Sequence, residues 1–459
     1  MLHTFSHIEL ASAISDRDFG VLRRRLADET PQDIAETLIG LAVEDQVVAF
    51  RVLPRSLAAQ VFEYLPFEQQ EPLLKTMARE DVAALLNTMA PDDRTELLDE
   101  LPATVTQQLL ALLTPQERAV AVQLLGYPED SIGRLMTPEY VRVRPDWTIT
   151  QALAHVRRYG RNSETLNNVY VIDAQGQLID DISIRQFLLA QPDQQVADIM
   201  DNRVVALRAS DAQEAAVAAF RREDRTALPV TDTGGVLIGI VTIDDVLDVA
   251  EREATEDFQK IGGSAALEEP YLQISVTDMI RKRSGWLVVL MLGEMLTATA
   301  MGFFEEEISR AVVLALFVPL IISSGGNSGS QAATLVIRAL ALGEVTLRDW
   351  WLVMRRELVS GLAMGVMLGV IGFLRIAGWE AAFGSYGPHW PLVGLTIGVS
   401  LVGVVLWGTL SGSMLPLLLR RLGLDPATSS APFVATLVDV TGLVIYFSVA
   451  ATLLHGTLL

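Results

Sequence analysis

Near the middle of the last long apolar stretch of this chain, Pro432–Leu454, stands a single acid, Asp439. A carboxylate at the centre of a membrane helix costs about 3 kcal/mol on insertion scales, so it is expected to face water, a cation or a hydrogen-bonding neighbour. Thr436, Thr441 and Gly442 flank it and offer close helix approach and polar surface. A buried acid bonded to a neighbouring helix is the structural alternative. Glu294, midway along Trp286–Phe304, poses the same question: an auxiliary ion or proton site, or a hydrogen-bonded core acid. A third candidate is the polar run Ser323–Gln331, which interrupts the over-long stretch Ala311–Leu342. Exposing it to lipid would be costly, so a break covered by protein or water is expected there. Its glycines would bring backbone close to an ion path, and its amides carry oxygens. Gly325, Gly326, Asn327 and Gln331 are therefore the pore-lining candidates, with a glycine-mediated helix contact as the alternative.

Outside the apolar half, seven acids (Asp244, Asp245, Asp248, Glu251, Glu253, Glu256 and Asp257) fall in fourteen positions against one Arg252. Like charges at helical spacing repel, so the run is either a solvated face or a site awaiting cations. Glu305, Glu306 and Glu307 could concentrate cations at a pore mouth or form a solvated loop. Other chemistries are excluded. There is no cysteine, and the histidines His3, His7, His155, His389 and His455 supply no pair with a glutamate on a helix of the kind an intramembrane metalloprotease needs. An enzyme is not expected.

These residues sit in two unlike halves. Of 459 residues, 1–280 carry a net charge of -22 and 281–459 a net of +1, giving the overall -21. The acidic half argues against a nucleic-acid partner, because binding a polyanion needs a basic face. The second half holds five apolar stretches (Trp286–Phe304, Ala311–Leu342, Trp351–Leu374, Leu392–Leu419 and Pro432–Leu454), each long enough to cross a lipid bilayer core of about 30 Å. Arg281, Lys282 and Arg283, then Arg348, Arg355 and Arg356, then Arg420 and Arg421 fall on one side of these stretches. The positive-inside rule then gives a cytosolic N-terminus and an external C-terminus in a multi-pass plasma-membrane protein. Met1–Phe19 has no apolar signal region, in keeping with that orientation.

The acidic half is itself repetitive. Leu53-Pro54, Leu65-Pro66, Met77-Ala78, Met89-Ala90, Leu101-Pro102 and Leu113-Thr114 recur every twelve residues, which predicts short amphipathic helices stacked as an α-solenoid. A longer repeat follows, in which Val169–Asp173 and Gly176–Ile179 match Leu228–Asp232 and Gly235–Ile238 at an offset of 59 residues. Met136-Thr137-Pro138 and Met200-Asp201-Asn202 each open one copy. This pattern resembles a tandem pair of cystathionine-β-synthase (CBS) domains. Such pairs commonly bind adenine nucleotides, so the resemblance implies an ATP contact at Thr242 and Asp245 of the second copy. The first copy has Ser183 followed by Gln186 where that acid would stand, so its ribose contact is missing.

The whole order resembles the MgtE family of magnesium channels. The similarity is carried by Leu135–Tyr140, by Asp244–Val249 running into Glu253–Asp257, by Ser324–Gly329 with Gln331–Leu335, and by Asp439–Tyr446. It implies a multidomain membrane protein: an acidic helical domain (1–130), the tandem CBS pair of α+β type (131–250), a connecting helix (251–283) and a five-helix transmembrane pore domain (284–459). It further implies a homodimer in which Asp439 of both chains forms the ion-selecting site for Mg²⁺. Acids matching Glu214, Asp224, Asp248, Glu253, Glu256 and Asp257 would bind regulatory Mg²⁺, with Asp93, beside Asp92 or Glu96, adding a contact from the helical domain. With Mg²⁺ bound the helix from about Val249 to Ile280 would hold the pore shut. A carrier for other divalent cations such as Mn²⁺ or Co²⁺, regulated by nucleotide at the CBS pair, is the alternative.

Overall fold

The computed structural model describes residues 7–267, 271–272 and 274–458, so His3 lies outside it. The chain folds into two compact units, Met1–Glu251 and Arg252–Leu459.

In the first unit, helices Val43–Val52, Arg55–Glu63, Phe67–Thr76, Arg79–Leu86, Pro91–Glu100, Ala103–Leu110 and Pro115–Leu125 start at twelve-residue intervals. Each beat is one helix and its turn. No helix this short buries its own apolar face, and one continuous core runs from Leu10 to Ala121. The fourth position of alternate helices carries a device that periodicity alone did not reveal. Gln46 donates to the Leu38 and Leu41 carbonyls at 3.0 and 3.2 Å. Gln70 donates to Phe62 and Leu65 at 3.0 and 2.8 Å, and Arg94 to Leu86 at 3.1 Å. Each side chain reaches eight residues back and satisfies carbonyls that the preceding helix leaves open at its C-terminus. Arg94 is fully buried and also pairs with Glu117 at 2.7 Å.

The 59-residue repeat forms two three-stranded sheets. In the first, β1 (Arg142–Val143) runs parallel to β2 (Asn168–Ile172), which pairs antiparallel with β3 (Leu178–Ser183). In the second, β4 (Leu207–Arg208), β5 (Ala227–Thr231) and β6 (Leu237–Thr242) repeat that order. Both hairpins turn on a glycine with positive φ, Gly176 and Gly235. Across the local two-fold, Leu178 N–H donates to Gly235 O and Leu237 N–H to Gly176 O, both at 3.1 Å. The methionine segments do not stay with the copies they open. Thr137 exchanges two backbone hydrogen bonds with Ile240 of the second copy, and Met136 joins the second copy's core. Met200 packs against the first copy's core. Each copy thus completes the other.

In the second unit the candidate spans are Val276–Phe303, Val312–Ala341, Leu347–Phe383, Trp390–Arg421 and Ala431–Leu453, called first to fifth below. The helix expected over 251–283 is instead divided. A connecting helix, Ile243–Ile261, grows directly out of the second CBS copy and stops at Gly262-Gly263, and the first span begins at Val276. The expected break at Ser323–Gln331 is absent. One continuous helix, Val318–Ala341, runs through the polar run. Its hydroxyls turn inward on backbone, as when Ser328 donates to Gly325 O at 2.9 Å. Its glycines let neighbouring spans approach, which in a bilayer replaces the hydrophobic drive for packing.

The tightest contact is at Gly412 of the fourth span, where a β-carbon would lie 2.1 Å from Gly329 O of the second. Neither backbone can yield. Gly412→Val is expected to lower the thermal midpoint of the purified protein by roughly 5 °C or to abolish its recovery. Gly378→Ala, where a β-carbon meets nothing within 4 Å, should leave the midpoint unchanged in the same melting assay.

Candidate functional site

Asp439 is half-buried on the fifth span and opens onto a cavity of about 390 Å³. Val318, Pro319, Ile322, Ser323, Gly326 and Asn327 of the second span line it, with Ala435 and Asp439 of the fifth. Gly326 lies beside the acid, and a β-carbon on it would stand in ordinary van der Waals contact with Asp439 Oδ1, at 3.5 Å. Asn327 donates to Ser323 Oγ at 3.2 Å, and both residues line the cavity. The groove therefore presents one carboxylate, an amide and a hydroxyl, oxygens of the kind that hold a cation through its own water.

The other pore-lining candidates are placed differently. Gly325 is buried against Val404 and Val438, where a β-carbon would come within 2.4 and 2.7 Å, so it is a packing glycine. Gln331 is exposed and lies outside the groove. Thr441 accepts from Trp407 Nε1 at 2.8 Å on the side of the fourth span, and Gly442 is buried there as well. Glu305, Glu306 and Glu307 open a short exposed helix in which Glu306 pairs with Arg310.

A second acidic site lies within the first unit, between the helical array and the CBS pair. Asp92 and Asp93 are in the first turn of Pro91–Glu100, a favourable end of the helix dipole for negative charge. Asp92 is buried, and its Oδ1 has no hydrogen-bond partner among the described residues. Burial, followed by repulsion from Asp245, Asp93 and Glu164, holds its carboxyl well above the usual carboxylate range. Burial and the charges of Glu63, Asp245, Glu96 and Glu164 push Asp93 up to about 8. Asp245 is pushed up to about 7 by burial, against a 2.5 Å hydrogen bond donated by Thr242 Oγ1 and with repulsion from Asp244, Glu96 and Glu164. Glu63 is fixed in place by the Ala90 N–H at 3.3 Å. This seam gathers negative charge out of water, and a proton or a metal cation relieves it.

In the first CBS copy Ser183 and Gln186 form the same short-range bond that Thr242 and Asp245 form in the second. The missing acid is thus replaced by an amide that caps a helix.

Within the second unit the connecting helix carries a third cluster. Lys260 donates to Asp425 at 2.7 Å and pairs with Glu256 one turn back. Burial opposes its charge, but these two carboxylates outweigh it and raise its pKa above the ordinary value. Asp257 is raised by burial and by Asp425. At the end of this helix a β-carbon on Gly263 would stand 2.9 Å from Trp286 of the first span and 3.1 Å from Pro432 at the start of the fifth.

The remaining regulatory candidates are dispersed. Glu214 and Asp224 mark opposite ends of the helix Gln213–Glu223, about 15 Å apart along its axis. Asp248 is exposed on the connecting helix, and Glu253 follows in the second unit. Among the described residues no three Asp, Glu or His side chains converge as a metal-binding set. Glu63, Glu164, Asp425 and Lys260 escaped the sequence reading. Asp425 carried a faint signal, as a lone acid between Arg420-Arg421 and the fifth span.

Residues 318–449 match a family of divalent cation transporters, MgtE. Residues 29–130 match the MgtE intracellular N domain, and 132–193 and 196–252 match CBS domains. The chain is 40% identical over 453 residues to the magnesium transporter MgtE of Thermus thermophilus, covering 98% of each chain. It is 29% identical over 443 residues to the magnesium transporter MgtE of Bacillus subtilis, covering 94% of this chain and 96% of that one. Among solved structures it is similar to the cytosolic domain of the Mg²⁺ channel MgtE in complex with ATP. That match has a TM-score of 0.51 at 38% identity and covers 53% of this chain and 99% of the other.

The seam gives a pH prediction with a definite sign. Asp93 and Asp245 bind protons more tightly when folded than at their ordinary value of 3.8. The stability those protons contribute is full below about pH 4 and is lost as pH rises through 7 to 8. In chelator, the first thermal transition of the full chain should therefore fall between pH 6 and 8.5, and millimolar Mg²⁺ should flatten that slope. A transition that ignores both pH and Mg²⁺ would mean the seam is not a cation site.

Proposed function

This chain belongs to the MgtE family of magnesium transporters, and we propose that it is a Mg²⁺-selective channel for magnesium uptake, closed from the cytosol by Mg²⁺ itself. Asp439 carries the proposal: a carboxylate midway along an apolar span, opening onto a 390 Å³ groove with Asn327 and Ser323. In a homodimer two such carboxylates face each other. They hold a hydrated dication through its waters, while a monovalent ion gains about half the Coulomb energy from the same pair. The N-terminal half is cytosolic and the C-terminus external, as the basic loops require.

Closure uses the cytosolic acids. Mg²⁺ shared among Asp93, Glu214, Asp224, Asp248, Glu253, Glu256 and Asp257 cancels their repulsion and fixes the connecting helix, whose far end abuts Trp286 and Pro432. When Mg²⁺ falls, repulsion separates the acidic faces and that helix is released. A ligand shifts such an equilibrium only by its differential affinity for the two states, so several ions acting together give a sharp switch. ATP is a second ligand in this proposal. The similar cytosolic domain was solved in complex with ATP, and the hydrogen-bonded pair Thr242 and Asp245 of the second CBS copy is the candidate nucleotide contact here.

Flux into liposomes tests the pore. Asp439→Ala should lower Mg²⁺ uptake roughly tenfold or more at low internal Mg²⁺, and undiminished uptake would move the selective site elsewhere. For the sensor, Asp248→Asn, Glu256→Gln and Asp257→Asn together should leave uptake insensitive to internal Mg²⁺. A triple variant that still shuts normally would refute the sensor.

A further inference from the structure

We propose that Glu294 is a second carboxylate of the ion path, standing beside Asp439 and setting how readily the path fills with divalent cations. The inference rests on the reading of Asp439 as the pore carboxylate.

Between Trp286 and Phe303 of the first span, Glu294 is the one charged residue. Three contacts fix that span against the fifth. Trp286 Nε1 donates to Ser430 Oγ at 3.0 Å, a β-carbon on Gly293 would meet Thr436 Cγ2 at 2.7 Å, and Phe304 stacks on Phe447 at 5.0 Å. Partners are thus offset by 143 or 144 residues throughout, so the two helices run parallel in constant register. Asp439 is level with position 296, and Glu294 lies about 3 Å closer to the Trp286 end, at 1.5 Å per residue.

The angular position agrees. Asp439 comes four residues after Ala435, which faces Gly326 of the second span, and three after Thr436, which faces Gly293 of the first. It therefore sits on the seam between those two spans. Glu294 directly follows Gly293, the first-span residue that meets Thr436 of the fifth. Thr297 donates to Glu294 at 3.3 Å, and the carboxylate is otherwise exposed on the single chain. Facing lipid, such a group is costly. Two carboxylates side by side in an apolar slab repel unless a cation lies between or beside them. The groove at Asp439, with Ser323 and Asn327 on an otherwise largely apolar wall, supplies space for a hydrated dication, and Glu294, which is not part of that wall, can accept hydrogen bonds from its water shell.

The test is the external Mg²⁺ dependence of uptake at low internal Mg²⁺, in liposomes carrying the full chain. Glu294→Gln should raise the half-saturating Mg²⁺ roughly three- to tenfold, the effect of one charge on a dication across a water-filled path, while maximal uptake is kept. Glu294→Asp should stay within about twofold of wild type. Glu294→Gln with Thr297→Glu, which returns the carboxylate one turn along the same face, should restore filling. Unchanged half-saturation in Glu294→Gln overturns the inference. So does a loss of maximal uptake without a shift in half-saturation, the signature of a packing role. Asp439→Ala separates the two levels: retained flux there removes the pore reading itself, whereas lost flux with an unmoved Glu294→Gln removes only the role of Glu294.

Discussion

One constraint governs both halves of the molecule: a carboxylate taken out of bulk water and left short of positive charge binds whatever cation relieves it. The chain imposes this constraint in both of its halves. In the second unit Asp439 is held in a groove of mostly apolar residues that Ser323 and Asn327 also line. In the first, Asp92 and Asp93 are packed toward Asp245 and Glu164 with burial working against every one of their charges. Between them in sequence, Lys260 already supplies a tethered cation to Asp425 and Glu256.

Positioning such groups without exposing them demands close backbone approach, and glycine supplies it. Gly365 and Gly369 of the third span admit the Val402 and Gly398 backbones of the fourth, and Gly329 and Gly412 join the second span to the fourth. With the second span held on that side, its Ser323, Gly326 and Asn327 edge is turned to the fifth span and Asp439. The same small residues that make the bundle tight thus leave one polar edge for an ion.

Much of this was legible in the sequence because it repeats or has a fixed length. A twelve-residue beat marked the helices from Val43 to Leu125, a 59-residue offset marked the two sheets, and apolar length marked the five spans. What was not legible depends on contacts between distant residues. Gln46, Gln70 and Arg94 look like ordinary surface residues until each is seen to close the helix before it. The exchange of Met136 and Met200 between CBS copies leaves no trace in spacing. Ser323–Gln331 reads as a break because a polar run is costly to expose to lipid, yet Ser324, Ser328 and Ser330 bond to backbone carbonyls and the helix stays whole. Of the candidate site, Asp439 announced itself by its charge in an apolar run, as did Glu294. Glu63, Glu164 and Asp425 did not, being single acids in an acidic chain whose meaning lies in what faces them.

Single-channel recording from the wild-type protein, with Mg²⁺ as the charge carrier while the cytosolic Mg²⁺ is raised, tests the pore and its control together. A pore governed by cytosolic carboxylates predicts unitary currents of constant size whose open probability falls steeply as that Mg²⁺ rises. Mg²⁺ transport without unitary currents, or currents whose open probability ignores cytosolic Mg²⁺, would contradict it.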